Sequence, residues 1–134
     1  MSVSQHTRDF IYIESAGKCI YCGKDVAKEE MTLDHIVPKK GHGGKNRDNL
    51  ILACPECNNR KGAMTAREFR AQMPKKQREG YDQRIHELYA GGFINEIKEE
   101  LLLGRSITEA HTYRLHFKTL LFDIHFTVML RRRD

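Results

Sequence analysis

The spacing of apolar residues changes character at Gly62. From Lys18 to Gly62 they come in short runs, Met31 to Leu33, Ile36-Val37 and Leu50 to Ala53, separated by turn-forming residues and without helical periodicity. Short apolar runs bounded by turns predict strands, here a small hairpin. Pro55 predicts the start of a short helix carrying Cys57 to Lys61, because proline suits the first helical position, where its missing N–H has no partner to lose. Gly41 to Asn46 reads as a flexible loop between the runs. Upstream, Thr7 to Ser15 predicts a short helix with Phe10, Ile11 and Ile13 as its apolar contacts.

After Gly62 the pattern becomes helical. Thr65 with Glu68 three residues on has the form of a capping box and opens a helix over Ala66 to Met73, which Pro74-Lys75-Lys76 ends. Tyr81, Ile85, Leu88 and Tyr89 fall at i, i+4, i+7 and i+8, a second helix that Gly91-Gly92 stops. A third covers Phe93 to Leu103. Thr108 begins the last and longest, with Leu115, Phe117, Leu120, Leu121, Ile124, Val128 and Met129 along it and Arg131-Arg132-Arg133 at its end. So many apolar residues must be covered, by default within the chain, and otherwise by a second copy in a homodimer through this helix. The fold class expected is α+β in a single domain, with a core at 18–62 and a helical extension at 63–134.

Composition narrows the class. A chain of 134 residues with 40% hydrophobic content has one domain's worth of sequence and a modest core, which a structural metal would help. No stretch reaches the roughly 18 apolar residues of a membrane span, and the polar start Met1 to His6 has no apolar signal core. The expectation is a soluble cytoplasmic protein with no membrane partner. Its four cysteines form two C-x-x-C pairs, Cys19/Cys22 and Cys54/Cys57. Each pair can offer two thiolates from one tight turn, and two such pairs complete a tetrahedral zinc site. Cytosolic thiols stay reduced, so Zn²⁺ is the leading reading, with a redox pair or two disulfides as alternatives.

Charge is unevenly placed. The whole formal excess of +5 lies between residues 60 and 84, where eight Lys and Arg face three Asp and Glu. Arg60, Lys61, Arg67, Arg70, Lys75 and Lys76 begin where the second cysteine pair ends. Such a stretch beside a metal site is an electrostatic footprint for a phosphate backbone, against the alternative of a solvated helix face.

Between the cysteine pairs lies Leu33-Asp34-His35-Ile36-Val37-Pro38, followed by Gly43-Gly44 and Asn49-Leu50, and after the second pair come Asn58 and Lys61. This ordered set resembles the HNH endonuclease family, the zinc-stapled branch of the ββα-metal (His-Me finger) nucleases. The resemblance covers Lys18 to Gly62, and residues after Gly62 match no further family pattern. It implies a zinc-bound ββα finger with flanking helices and a metal-dependent endonuclease acting on DNA. By position, His35 matches the general base, Asp34 and Asn58 the ligands of a catalytic Mg²⁺ or Mn²⁺, and Asn49 the residue that holds the finger loop. Arg60 and Lys61 match basic positions near phosphate. This chain has Asn at the third motif position, so its letters read H-N-N.

The chemistry is consistent with those roles. A neutral imidazole can take a proton from water near pH 7. A carboxylate and an amide oxygen can hold one hard cation with positions left open for phosphate and water. Neighbouring residues in a regular strand point to opposite faces, so Asp34 and His35 should lie at a strand end. Two alternatives remain at this level: a zinc-dependent nucleic-acid-binding module that does not cut, and an enzyme that cuts RNA.

Overall fold

The computed structural model describes residues 3–38 and 47–104, all within the unit Met1–Gly104. The glycine-rich loop and the long final helix expected above lie outside the described residues, and with them the dimer surface.

The chain enters through α1 (Gln5–Glu14), where the Ser4 hydroxyl accepts from the Thr7 N–H at 3.2 Å. Ala16 and Gly17 both take positive φ and end the helix, which starts two residues before the expected Thr7. Only Ile11 of its three expected apolar contacts is buried. Phe10 is 39% exposed, with the Arg47 guanidinium over its ring at 4.2 Å, and Ile13 is 69% exposed.

A tight hairpin follows, in which Cys19 N–H bonds Lys24 O at 2.9 Å and Gly23 N–H returns to Cys19 O at 2.9 Å. Strands β1 (Thr32–His35) and β2 (Leu50–Ala53) then pair antiparallel, with Thr32 opposite Ala53 and His35 opposite Leu50. All four β2 residues are buried, since α1 packs on this strand and the first cysteine hairpin docks on its edge through Ile20 N–H to Leu52 O at 3.1 Å. Helix α2 (Pro55–Lys61) packs on β1, with Pro55 in its first turn, and completes the ββα unit.

Helix α3 (Ala66–Gln72) carries the full capping box. Glu68 N–H bonds Thr65 Oγ1 at 3.1 Å, and Thr65 N–H bonds Glu68 Oε2 at 3.3 Å. Its first N–H also reaches Ile36 O at 2.9 Å, which ties the helix start to the residue after His35. Helix α4 (Lys75–Ala90) begins directly after Pro74 and ends at Gly91. Helix α5 (Glu96–Leu103) begins three residues later than the apolar pattern suggests, because Asn95 caps it by accepting from Lys98 N–H at 2.9 Å. Phe93 is left outside the helix and half exposed.

The core is continuous from the finger into these helices. Tyr21 stacks on Tyr81 with centroids 5.7 Å apart and meets Phe69 edge-on at 5.1 Å. The Tyr81 hydroxyl donates to Leu102 O at 2.6 Å and so joins α4 to α5.

Candidate metal centre and active site

The two cysteine pairs are brought together by different local devices. Cys19 and Cys22 lie in the hairpin turn that Gly23 closes just after Cys22, with a φ of +80° that suits glycine. Cys54 is the N-cap of α2, where its Sγ accepts from Cys57 N–H at 3.4 Å, so the second pair shares one helical turn. All four Sγ atoms lie within 4.8 Å of one another, with Cys22 and Cys54 3.9 Å apart. A Zn–S bond of about 2.3 Å implies tetrahedral S···S edges of about 3.8 Å. The set fits a zinc ion, and the convergence of all four thiols on one point fits neither two separate disulfides nor a lone redox pair. Burial pushes the Cys54 thiol up to about 11 and Cys57 higher still, so a dication is what would let these groups be thiolates together.

The cysteine hairpin is held from a distance. Arg84 of α4 donates from Nε to Ile20 O at 3.0 Å and from Nη2 to Tyr21 O at 3.1 Å, while Gln77 Nε2 reaches Tyr21 O at 3.4 Å. A Cβ on Gly23 would lie 2.4 Å from Arg84 Nη1, so glycine is needed there for close approach as well as for φ. Sequence reasoning counted Arg84 only as charge, and no local signal marks it.

Beside this centre lies a second constellation. His35 closes β1 with Asp34 just before it, the strand-end placement that the alternation argument requires. Asp34 is 4% exposed, and His35 is partly exposed. The Asp34 carboxylate accepts from the Tyr21 hydroxyl at Oδ2, 2.5 Å, and from Lys61 Nζ at Oδ1, 3.1 Å. Lys61 also lies 3.1 Å from Oδ2 and donates to His35 O at 2.7 Å. Burial pushes the Asp34 carboxyl above its ordinary value, against the opposing pull of Tyr21 and Lys61. Burial and the Asp34 charge push the Tyr21 phenol well up, which keeps it a hydrogen-bond donor.

Asn58 is half-buried on α2, one turn before Lys61. Asn49 is buried in a short turn (Arg47–Asn49) and bonds both backbone groups of Val37. The predicted basic residues divide. Lys61 is 1% exposed on Asp34, and Arg70 forms a two-pronged pair with Asp82 at 2.7 and 2.6 Å. Arg60, Arg67, Lys75 and Lys76 are exposed.

A sequence model of the HNH endonuclease family matches residues 19–64, the stretch that holds all of these groups from Cys19 to Lys61. Residues 19–64 are an HNH endonuclease domain. Within the HNH domain the chain is 44% identical over 46 residues to the CRISPR-associated endonuclease Cas9 of Corynebacterium diphtheriae, covering 34% of this chain and 4% of that protein. It is 46% identical over 44 residues to the Cas9 of Actinomyces naeslundii, covering 32% and 4%. The fold is shared with the type II-C Cas9 enzyme from Actinomyces naeslundii, with a TM-score of 0.59 and 21% identity over 79% of this chain and 13% of that one. Streptococcus thermophilus Cas9 in complex with the AGAA PAM gives a TM-score of 0.59 and 16% identity over 75% of this chain and 10% of that one. The chain thus spans a small fraction of these relatives, yet the structural likeness extends past the HNH domain into the helices that follow. Among the described residues, no helix is long and apolar enough to cross a membrane.

Proposed function

We propose that this protein is a metal-dependent DNA endonuclease in which His35 is the general base and Asp34 and Asn58 hold one Mg²⁺ or Mn²⁺. The observation that carries this reading is the contact of Asp34, near the end of β1, with Lys61 of α2, the helix that also bears Asn58, inside an HNH domain. His35 takes a proton from water as its oxygen attacks phosphorus, and the bond from phosphorus to the 3′ oxygen breaks, leaving 5′-phosphate and 3′-hydroxyl ends. The cation, when bound, supplies charge neutralisation on the phosphoryl and leaving oxygens. Asn49 keeps the segment after His35 in place through Val37. Zinc on Cys19, Cys22, Cys54 and Cys57 has a closed shell and serves folding alone.

The exposed Arg60, Arg67, Lys75 and Lys76 support a phosphate track. Lys75 and Lys76 stand in the first turn of α4, which has no acidic residue, and cations there oppose the helix dipole. Lys75 offsets this in part through Glu79 at 3.9 Å, and a phosphate contact gives both lysines a further use. Binding is then expected to weaken steeply with salt.

One observation favours the non-cutting zinc module: both Asp34 oxygens already have cationic or hydroxyl partners. A carboxylate has about four lone-pair positions, however, so a place remains for a cation. Supercoiled-plasmid cleavage with Mg²⁺ or Mn²⁺, beside a chelator control and His35→Ala, decides between the two. Metal-dependent nicking or linearisation that vanishes in His35→Ala is the expected result. Binding without cleavage under all conditions would overturn the enzyme reading.

A further inference from the structure

We infer that Tyr21, inside the first cysteine pair, is a positioning residue for the Asp34 carboxylate. This rests on the reading of Asp34 as a cation ligand. A carboxylate has two equivalent oxygens, and a ligand must present one of them in a fixed direction. Lys61 cannot select between them, because its ammonium lies 3.1 Å from each. The Tyr21 hydroxyl can, since it donates to Oδ2 alone, at 2.5 Å. Oδ2 then has two donors and Oδ1 has Lys61, so Oδ1 is the oxygen with more of its lone-pair positions left for the cation.

The hydroxyl can hold that position because its ring is fixed on every side. Tyr21 has no exposed surface. Tyr81 stacks on one face with planes 10° apart, and Phe69 meets the ring edge-on at 76°. Its carbonyl is held by Arg84 and Gln77, and the Ile20 N–H before it is bonded to Leu52. Cys19 and Cys22 anchor the same turn in the thiol cluster. Placement of the hydroxyl is therefore set by the packing around the ring together with the anchored cysteine turn. A group that supports a metal ligand in this way typically changes metal affinity or activity about 10- to 100-fold when removed.

A purely structural role, in which Tyr21 merely satisfies a buried carboxylate, makes a different prediction. Tyr21→Phe keeps the ring and its contacts and removes only the O–H. Tyr81→Phe is the matched control, because it deletes a buried hydroxyl from the same aromatic cluster, one that serves Leu102 O and not Asp34. The experiment is Mn²⁺ titration of the zinc-loaded full chain by electron paramagnetic resonance, with zinc content measured in each variant and Asp34→Ala alongside. Expected are a Mn²⁺ Kd raised about tenfold or more in Tyr21→Phe, an unchanged Kd in Tyr81→Phe, and one zinc per chain in both. An unchanged Kd in Tyr21→Phe, or an equal rise in Tyr81→Phe, overturns the positioning role and leaves the proposed nuclease standing. Wild-type affinity in Asp34→Ala removes Asp34 as a ligand, and the positioning role falls with it.

Discussion

Asn49 holds Val37 by both ends of its amide, Nδ2 donating to Val37 O and Oδ1 accepting from Val37 N–H, each at 2.9 Å. The Asn49 carbonyl also accepts from Ile36 N–H at 2.9 Å, so the two residues after His35 are fixed by one asparagine. Replacing Asn49 with Ala leaves the Val37 groups without their partner, a loss of about 1–3 kcal/mol. Urea unfolding should show that loss with zinc content unchanged, and the cleavage rate should fall too. Full stability in Asn49→Ala would mean that the two bonds do not hold the segment.

Lys61 and Asp34 are an ion pair whose side chains are 1% and 5% exposed. Lys61→Met should destabilise the domain by about 3–5 kcal/mol, because it strands a buried carboxylate. A loss below about 1 kcal/mol, the size of a surface pair, would show that water reaches Asp34 in solution.

Glu14 and Lys98 form a second buried pair, at 2.8 Å, which joins α1 to α5. Burial raises the Glu14 pKa and lowers that of Lys98, so both shifts oppose ionisation. Between the unfolded and the higher folded pKa of Glu14 the native state holds more protons, so the pair's contribution falls as pH rises. Between the lower folded pKa of Lys98 and its unfolded value the unfolded state holds more, and the contribution rises with pH. Glu14→Leu combined with Lys98→Met should remove both slopes and leave stability at neutral pH equal or greater. Stability measured against pH for both proteins tests this. Parallel curves across the acidic and alkaline ranges would show that the pair is solvated.

Zinc and base should separate by substitution. Cys54→Ala is expected to lower thermal stability and zinc content together, whereas His35→Ala, a change at a partly exposed side chain, should spare both and abolish cleavage. Metal analysis and thermal melts on the two variants check this. Equal loss of folding in both would merge roles that are kept apart above.

Arg84 bonds two carbonyls of the cysteine hairpin with two different nitrogens. Lysine has a single nitrogen and cannot reproduce that fork. Arg84→Lys should therefore release zinc to a chelator faster than wild type. Equal release rates would remove the clamp.

Local signals in the chain were reliable guides to elements whose causes are local. The Thr65/Glu68 capping box, Pro55 in the first turn of α2, the glycine stop after α4 and the cysteine spacing each act within a few residues. Side-chain destinations decided by distant partners were not legible. Lys61 and Arg70 read as phosphate contacts, yet Lys61 is buried on Asp34 and Arg70 is paired with Asp82, twelve residues on. Phe10 and Ile13 read as apolar contacts, but both are exposed and Ile11 alone of the three is buried. The late start of α5 came from a cap at Asn95 that the apolar pattern of Phe93 and Ile94 concealed. Tyr21 is the instructive case. Its aromatic ring between two cysteines was visible, but its partner Asp34 is set only by the strand pairing.

The aromatic walls around Tyr21 bear on how this domain could be moved between proteins. The family pattern ends at residue 64, whereas Phe69, Gln77, Tyr81 and Arg84 all lie beyond it. A graft cut at Met64 would transfer every group proposed to hold metal or accept a proton and leave behind the surfaces that keep Tyr21 dry. The portable unit is therefore the finger together with its helices through Leu103.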